Sequence, residues 1–409
     1  MGSLAAGFVI LPTIGLVRGM LLIALVNVLV ALAFFRSAEG RGSQRAGLAF
    51  GGAAALALLV MLIAVRPTPF ILHTKVGRME NTKLLFQEEG HTATVTVTEE
   101  TTPEGKFLNR SLHINLLGAA VVDADHRHQQ YYSLIALVPQ ALHPDPKAVF
   151  VAGLASGVTT GAAALHEGTR QVMCVEISPE VVEAARLLGP WNYDAMTNPK
   201  IRVLADDARA YLATTPETFD VLVTDVFISA VTGTSALYST DYFELCRRRL
   251  SRGGFMSVGG GDLTGTDRTV ARSFIEVFPH VMLLVSPVRN AYNRSFLIGS
   301  NEPFVISRRA VEAAFAQPVL SAELRRYGFV SPEHLLRSYV CDRDELMSYV
   351  HNAAICTDDR PVIDFQAVAW AEGMLPGKKN ELAQGGRAPG LSMILRRTGG
   401  AQEIPFLVD

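Results

Sequence analysis

One stretch of the chain, residues 147–176, constrains the fold more than any other. Its sequence is KAVFVAGLASGVTTGAAALHEGTRQVMCVE. Ala148–Ala152 is short, apolar and β-prone, and the turn Gly153–Gly157 interrupts it before a helical segment. Val172–Val175 is predicted to be the next buried strand, with Glu176 at its carboxyl end. The stretch therefore predicts a β-α-β unit and an α/β fold.

The shape of this unit indicates a nucleoside-binding site. Gly153 and Gly157 let the backbone approach a ligand closely, Ser156 lies in the same turn, and the helix N-terminus presents free N–H groups. Glu176, at the end of the second strand, is placed to accept hydrogen bonds from two ribose hydroxyls. Taken alone, the turn also fits the alternative of a tight strand-to-helix connection in any α/β protein.

Two further predicted strands end on acidic residues. Ile201–Ala205 precedes Asp206 and Asp207, where a carboxylate can accept from an adenine amino group, and Phe219–Thr224 precedes Asp225. In α/β sheets, ligands bind at the edge where the carboxyl ends of the strands meet. Acids at the ends of three successive strands are hard to explain as charged loop residues that only contact water. They therefore favour a ligand site over a simple strand-to-helix connection.

Two apolar blocks near the N-terminus predict membrane helices. Residues 4–35 and 47–65 are almost entirely apolar, and the second has about the length of one bilayer crossing. We expect a multi-pass protein of the inner or plasma membrane, with the lipid bilayer as a partner. Basic residues on the two sides of the last span nearly balance, and a cofactor made in the cytosol favours a catalytic domain facing the cytoplasm. The opening helix lacks a first half, which predicts a truncated N-terminus.

The rest of the chain is predicted to alternate between strands and helices. Lys83–Glu100 and Phe107–Leu116 are expected to be two strands of a small β-hairpin domain. The expected segments are transmembrane helices at 1–66, a linker and the β-hairpin domain at 67–120, a nucleoside-binding Rossmann-like catalytic domain at 121–304, a helical C-terminal appendage at 305–370 and a disordered tail at 371–409.

A polar and aromatic patch, HRHQQYY, opens a predicted helix at residues 125–142. It is either a solvated helix N-terminus or a wall of the substrate pocket, because it precedes the first strand and can fold over the carboxyl end of that strand. Tyr131 and Tyr132 in this patch, and Tyr238 after the long loop 226–235, are predicted to contact the substrate.

Charge and cysteine content exclude several classes of function. A net charge of −2 over 409 residues gives no reason to expect a nucleic-acid partner. The four cysteines contain no C-x-x-C spacing, so no metal is expected, and Cys341 and Cys356 would pair only in an oxidising compartment.

Several motifs together resemble the membrane-fused spermidine synthase family, which has the polyamine aminopropyltransferase fold. The resemblance covers roughly Leu84 to Phe365 and rests on HPDPKAVFVAGLASGVTTGAA, VEISPEVVEAAR, DDARAYL, FDVLVTD, LYSTDYFELCRRRLSRGGF and ICTDDRPVIDF. It implies an α/β fold with a Rossmann-like, seven-stranded, methyltransferase-type sheet, preceded by a small β-hairpin domain and N-terminal transmembrane helices.

The resemblance also implies an activity and residue roles. Expected is transfer of an aminopropyl group from decarboxylated S-adenosylmethionine to a small amine acceptor, by a chain that can form a homodimer. The implied roles are contact with the nucleoside for Gly153, Ser156 and Gly157, with the ribose for Glu176 and with the adenine for Asp207 and Ala208, and removal of the acceptor's proton by Asp225.

The chain departs from the family pattern at several positions. Soluble spermidine synthases have Pro where this chain has Val226, Glu and His where it has Ser133 and Leu137, and an acid where it has Ser156. The missing acids would hold cationic amines, so S-adenosylmethionine itself remains a possible donor. Two alternatives therefore stay open: an S-adenosylmethionine-dependent methyltransferase and a non-catalytic nucleoside-binding domain of a membrane protein.

Overall fold

The structure is a computed structural model of the 409-residue chain. It describes residues 15–37, 43–64, 81–90, 92–115, 117–224, 226, 233–261, 263, 265–287, 295–366, 391, 394–395 and 400–408. The chain divides into two compact units, Met1–Gly118 and Ala119–Asp409.

Two hydrophobic helices open the first unit. Helix α1 is Leu16–Ser37 and helix α2 is Ser43–Ala64, and the two pack against each other. Gly51 of α2 lies against Leu32 of α1: a Cβ at this position would come within 2.4 Å of the Leu32 side chain. The absence of a side chain at Gly51 therefore allows the close contact between the helices.

The predicted membrane spans and the multi-pass location are wrong. A crossing helix needs about 20 consecutive, mainly apolar residues. Among the residues that the structure describes, no helix is both long enough and apolar enough to traverse a bilayer. Polar residues lie within both helices, with Arg18 and Asn27 in α1 and Gln44 and Arg45 in the first turn of α2. Their hydrophobicity therefore predicted helices correctly and bilayer spans incorrectly.

The β-region that follows has four strands rather than a single hairpin. The strands pair in the order β1-β2-β3-β4, with β1 antiparallel to β2 and β2 antiparallel to β3. Their bounds are Thr82–Glu89, Thr94–Thr101, Phe107–Ile114 and Leu117–Asp123. The predicted strand Lys83–Glu100 is in fact two strands, because the chain turns at Gly90, whose N–H donates to the carbonyl of Ala93 at 2.8 Å.

The second unit is built on an eight-stranded sheet in the order β13-β10-β11-β9-β8-β5-β6-β7. Strands β5 to β9 are parallel to one another, whereas β11 pairs antiparallel with both β9 and β10. The strands are β5 Ala148–Ala152, β6 Gln171–Glu176, β7 Ile201–Ala205, β8 Phe219–Thr224, β9 Leu250–Gly259, β10 His280–Val285, β11 Ser295–Ser300 and β13 Tyr339–Asp342. A separate parallel pair joins β12, Ile306–Ser307, to β14, Leu407–Val408.

Helices connect these strands along the chain. They are α3 Gln129–Leu142, α4 Val158–Ala163, α5 Pro179–Arg186, α6 Ala208–Thr214, α7 Thr240–Arg249, α8 Thr266–Val277, α9 Arg308–Ala316, α10 Pro318–Arg326, α11 Pro332–Leu336 and α12 Arg343–Val350. Side-chain caps define several starts: Ser178, for example, accepts from the N–H of Val181 at 3.3 Å and so begins α5.

The eighth strand differs from the prediction of seven. Residues 305–370 were expected to form a helical appendage, yet Tyr339–Asp342 within them pairs antiparallel with β10 at the sheet edge. Four residues are too few to show an alternating pattern between helical segments, which explains why the sequence does not indicate this strand.

The core of the second unit lies on the sheet and is rich in aromatic residues. Phe243, Phe274 and Phe278 pack with ring centroids 4.5–6.5 Å apart, and Gly299 of β11 lies directly against Phe274 and Phe278. All four cysteines are buried and free, so no disulfide joins Cys341 to Cys356. Burial of this apolar surface, at about 25 cal/mol per Å², holds the helices on the sheet and thereby positions the strand ends.

Candidate active site

The predicted binding residues converge at one edge of the sheet. Strands β8, β5, β6 and β7 are adjacent and parallel, so their carboxyl ends lie side by side. Hydrogen bonds continue past these ends: the N–H of Gly153 donates to the carbonyl of Val175 at 2.9 Å, and the N–H of Asp206 to that of Glu176 at 3.0 Å. The glycine turn, Glu176 and the Asp206–Ala208 segment are therefore neighbours.

The glycine turn is a tight backbone loop between β5 and α4. Gly153, Ala155 and Gly157 all have left-handed backbone conformations, with φ of 87°, 45° and 81°. Glycine adopts this conformation without a penalty, whereas Ala155 is strained by roughly 1–2 kcal/mol. Such strain persists only where the surroundings hold it, and it places the bare backbone of the turn at the edge of the sheet.

The side chain of Asn192 fixes this turn by hydrogen bonds. Its amide donates to the carbonyl of Ser156 at 2.9 Å and to that of Ala185 at 3.0 Å, and its side-chain oxygen accepts from the N–H of Ala195 at 3.2 Å. A Cβ on Gly161 of α4 would lie 2.0 Å from the carbonyl oxygen of Asn192. The residue is fully buried and was not identified from the sequence, because nothing in its local spacing indicates a contact made across the fold.

Glu176 is buried at the end of β6, and both of its carboxylate oxygens bind backbone. Oε2 accepts from the N–H of Leu154 at 2.8 Å, and Oε1 accepts from the N–H of Ser178 at 3.0 Å. Burial raises the pKa of Glu176, and these backbone N–H groups partly oppose that rise. The backbone N–H groups of Ala155 and Ile177 also face this carboxylate, which is therefore held by the glycine turn and by the segment after β6.

The segment after β7 combines a helix cap with exposed carboxylates. Oδ1 of Asp207 accepts from the N–H groups of Arg209 at 2.7 Å and Ala210 at 3.1 Å, and so caps α6. Its Oδ2 makes no hydrogen bond to the described residues, and Asp206 and Asp207 are both exposed while Ala208 is buried. Asp207 therefore has one carboxylate oxygen engaged by the helix and one facing outward.

Asp225, the predicted proton acceptor, lies outside the described residues, but its neighbours on both sides are described. The hydroxyl of Thr224 hydrogen-bonds the hydroxyl of Tyr242 at 2.8 Å, and the hydroxyl of Tyr238 donates to the carbonyl of Val226 at 2.5 Å. Tyr238 is buried, and its hydroxyl is bonded to the protein backbone in this structure.

Tyr131 and Tyr132 lie in the first turn of α3, next to the carboxyl end of β9. The hydroxyl of Tyr131 packs over Gly259 at the end of β9, where a Cβ would come within 2.2 Å of it, and its ring stacks on Phe296. The carbonyl of Tyr132 accepts from the hydroxyl of Thr159 in α4 at 2.8 Å. Both tyrosines are partly exposed.

A buried hydroxyl cluster lies beside these tyrosines and has no counterpart in the sequence-based predictions. Tyr193 donates to Glu323 of α10 at 2.9 Å and contacts the hydroxyls of Ser133 at 2.9 Å and Tyr327 at 3.3 Å. Burial is the main cause of the raised pKa of Tyr193, which stays protonated. The family resemblance implies an acid at position 133. The hydroxyl of Ser133 instead hydrogen-bonds the hydroxyls of Tyr193 and Tyr327.

The described residues contain no group of three or more His, Cys, Asp or Glu side chains that could hold a metal ion. A parallel sheet with a glycine turn, followed by acids on successive strand ends, is typical of Rossmann-like domains of the methyltransferase type.

Comparison with known proteins shows what this domain is similar to. Residues 128–305 match the model of the spermine/spermidine synthase domain. Polyamine aminopropyltransferase 2 of Pseudomonas aeruginosa is 30% identical over 172 residues, which cover 41% of this chain and 49% of that protein. Polyamine aminopropyltransferase 1 of Streptomyces coelicolor is 27% identical over 277 residues, which cover 64% of this chain and 49% of that protein.

A solved structure supports the fold. A spermidine synthase in complex with the transition-state analogue AdoDATO superposes with a TM-score of 0.50 at 16% identity, covering 63% of this chain and 85% of that one. The α/β methyltransferase-type fold is thereby confirmed, and residues 128–305 are similar to the spermine/spermidine synthase domain. The chain spans about half the length of the curated relatives it matches.

Proposed function

We propose that this chain is an aminopropyltransferase of the spermidine synthase type. Its donor is decarboxylated S-adenosylmethionine and its acceptor is a small amine. The observation that carries the proposal is the coincidence of the family match, residues 128–305, with the strand-end site built from the glycine turn and Glu176.

The nucleoside of the donor would lie along the carboxyl ends of β5, β6 and β7. The carboxylate of Glu176 would accept from the two ribose hydroxyls, while its bonds to Leu154 and Ser178 fix its position. The outward oxygen of Asp207 would accept from the adenine amino group, and the N–H of Ala208 lies next to it in sequence. The glycine turn would lie against the part of the donor that carries sulfur.

The chemical step joins the acceptor nitrogen to the aminopropyl carbon beside the sulfonium. The N–C bond forms, the C–S bond breaks with its electron pair going to sulfur, and methylthioadenosine leaves. The acceptor nitrogen loses a proton, which Asp225 is proposed to take. Because the sulfonium is a good leaving group, most of the catalytic effect would come from positioning the two reactants.

Product analysis with two donors tests the proposal. The purified chain is incubated with an amine acceptor and either decarboxylated S-adenosylmethionine or S-adenosylmethionine, and nucleoside products are separated by chromatography. Aminopropyl transfer predicts methylthioadenosine from the first donor. S-adenosylhomocysteine from the second donor alone would identify a methyltransferase, and no product from either donor would favour a non-catalytic nucleoside-binding domain.

A further inference from the structure

An ion pair joins the C-terminal part of the second unit to the edge of the candidate site. Nη1 of Arg209 donates to Oδ1 of Asp358 at 2.7 Å, and Nη2 donates to Oδ2, so the contact is bidentate. The guanidinium holds the pKa of the Asp358 carboxyl below its usual range, with a smaller contribution from the hydroxyl of Ser239. A bidentate pair of this kind fixes the relative orientation of its two side chains.

Arg209 and Asp358 each make a second contact that involves the site. Arg209 follows the α6 cap Asp207 by two residues, and its Nη1 also donates to the carbonyl of Ala236 at 2.7 Å. Oδ1 of Asp358 accepts from the hydroxyl of Ser239 at 2.7 Å. The pair therefore ties the first turn of α6 to the segment 236–239, which leads into α7.

That segment in turn holds the end of strand β8. Ser239 caps α7 by accepting from the N–H of Tyr242 at 3.1 Å. The hydroxyl of Tyr242 bonds the hydroxyl of Thr224, and the hydroxyl of Tyr238, the residue before Ser239, donates to the carbonyl of Val226. The chain on both sides of position 225 is thus held by two tyrosines from one anchored segment.

Asp358 is itself fixed by backbone contacts that do not involve Arg209. Its N–H donates to Oδ2 of Asp241 at 3.0 Å. Two residues earlier, the carbonyl of Cys356 accepts from the N–H of Thr240 at 2.9 Å. The N–H of Cys356 donates to the buried hydroxyl of Ser273 at 2.9 Å. The backbone that carries the Asp358 carboxylate is therefore fixed independently of Arg209. The carboxylate can thus determine the position of the Arg209 guanidinium.

We propose that Asp358 is a positioning residue for the nucleoside site, acting through Arg209 and Ser239 on the first turn of α6 and on the end of β8. This inference rests on the proposed function for the identity of the bound nucleoside. Removing the charge of Asp358 leaves Arg209 without its bidentate partner. The first turn of α6 and the end of β8 then lose the ion pair that connects them. Small displacements of these two segments weaken binding and slow transfer.

The test compares Asp358→Asn with the matched control Asp359→Asn. Asp359 is the adjacent acid, is exposed and makes no hydrogen bond to the described residues. Affinity for methylthioadenosine is measured by calorimetry, together with kcat, at a temperature well below the melting point of each variant. We expect Asp358→Asn to bind methylthioadenosine about tenfold or more weakly, with a lower kcat, and Asp359→Asn to match the wild type.

A double variant separates positioning from general loss of stability. If Asp358 acts through Arg209, then Arg209→Met with Asp358→Asn loses little more affinity than Arg209→Met alone. A variant Asp358→Asn that melts earlier but binds with wild-type affinity when folded would overturn the inference. Should Asp358→Asn fail to fold, Asp358→Glu replaces it: the longer carboxylate should weaken binding measurably, and unchanged affinity would overturn the inference.

The result for the wild-type protein keeps the two proposals apart. If the wild type does not bind methylthioadenosine, the proposed function is wrong. If the wild type binds it and Asp358→Asn binds it equally well, the proposed function stands and the role of Asp358 is wrong.

Discussion

Substituting Glu176 with glutamine perturbs the centre of the candidate site with almost no change in size. The carboxylate accepts one hydrogen bond from Leu154 and one from Ser178, on different oxygens. Glutamine supplies only one acceptor oxygen, and its NH₂ group faces one of these N–H groups as a second donor. At least one buried backbone N–H is therefore left without a partner.

The magnitude follows from the cost of an unsatisfied buried donor. One orphaned N–H costs about 1–3 kcal/mol, and the loss of a charge-assisted bond adds to it. Relief of the buried charge, which is the cause of the raised pKa of Glu176, works in the opposite direction. We expect Glu176→Gln to lower the free energy of unfolding by about 1–2 kcal/mol, and Glu176→Ala to lower the affinity for methylthioadenosine by at least about 1.5 kcal/mol.

Urea unfolding and calorimetric titration with methylthioadenosine measure the two effects. Glu183→Gln is the matched control, because Glu183 is an exposed acid on α5 that pairs with Arg186. This control should change stability by less than about 0.5 kcal/mol. Wild-type binding of methylthioadenosine by Glu176→Ala would refute the assignment of the ribose site.

Three further substitutions test other parts of the site. Asp225→Asn should lower kcat about a hundredfold or more with donor affinity nearly intact, whereas early melting with normal turnover per folded molecule would contradict a catalytic role. Gly161→Ala should cost about 1–3 kcal/mol in urea unfolding, because its Cβ would overlap the carbonyl of Asn192. The lowered pKa of Asp358 means that its pairing with Arg209 stabilises the fold above the unfolded pKa of about 3.9 and that this stability is lost as pH falls through the lower folded value. As the pH is lowered into the acid range, the free energy of unfolding should therefore decrease more steeply for the wild type than for Asp358→Asn.

The parallel part of the sheet was predictable because buried strands leave a strong local pattern. Runs such as Ala148–Ala152 and Phe219–Thr224 are apolar, β-prone and bounded by turn residues, and both are strands as predicted. Strand β13 and the turn at Gly90 were missed, since a four-residue strand among helices and a single glycine in an alternating run leave little local signal. Apolar blocks near the N-terminus predicted helices, and the inference from hydrophobicity to bilayer spans was wrong.

The site was predictable only where its residues follow strand ends. The neighbourhood of Gly153, Glu176 and Asp207 follows from strand order, because parallel strands bring their carboxyl ends together. Asn192 and the pair of Arg209 with Asp358 come from segments far apart in the chain. Their contacts depend on tertiary packing, which leaves no spacing in the sequence.

Label transfer distinguishes aminopropyl transfer from nucleoside binding without transfer. Decarboxylated S-adenosylmethionine carrying ¹³C in its aminopropyl group is incubated with the chain and an amine acceptor, and both products are followed by mass spectrometry. Aminopropyl transfer predicts labelled acceptor and unlabelled methylthioadenosine in equal amounts, with both products strongly reduced for Asp225→Asn. An acceptor that stays unlabelled while the wild-type protein binds methylthioadenosine would contradict the proposed transfer.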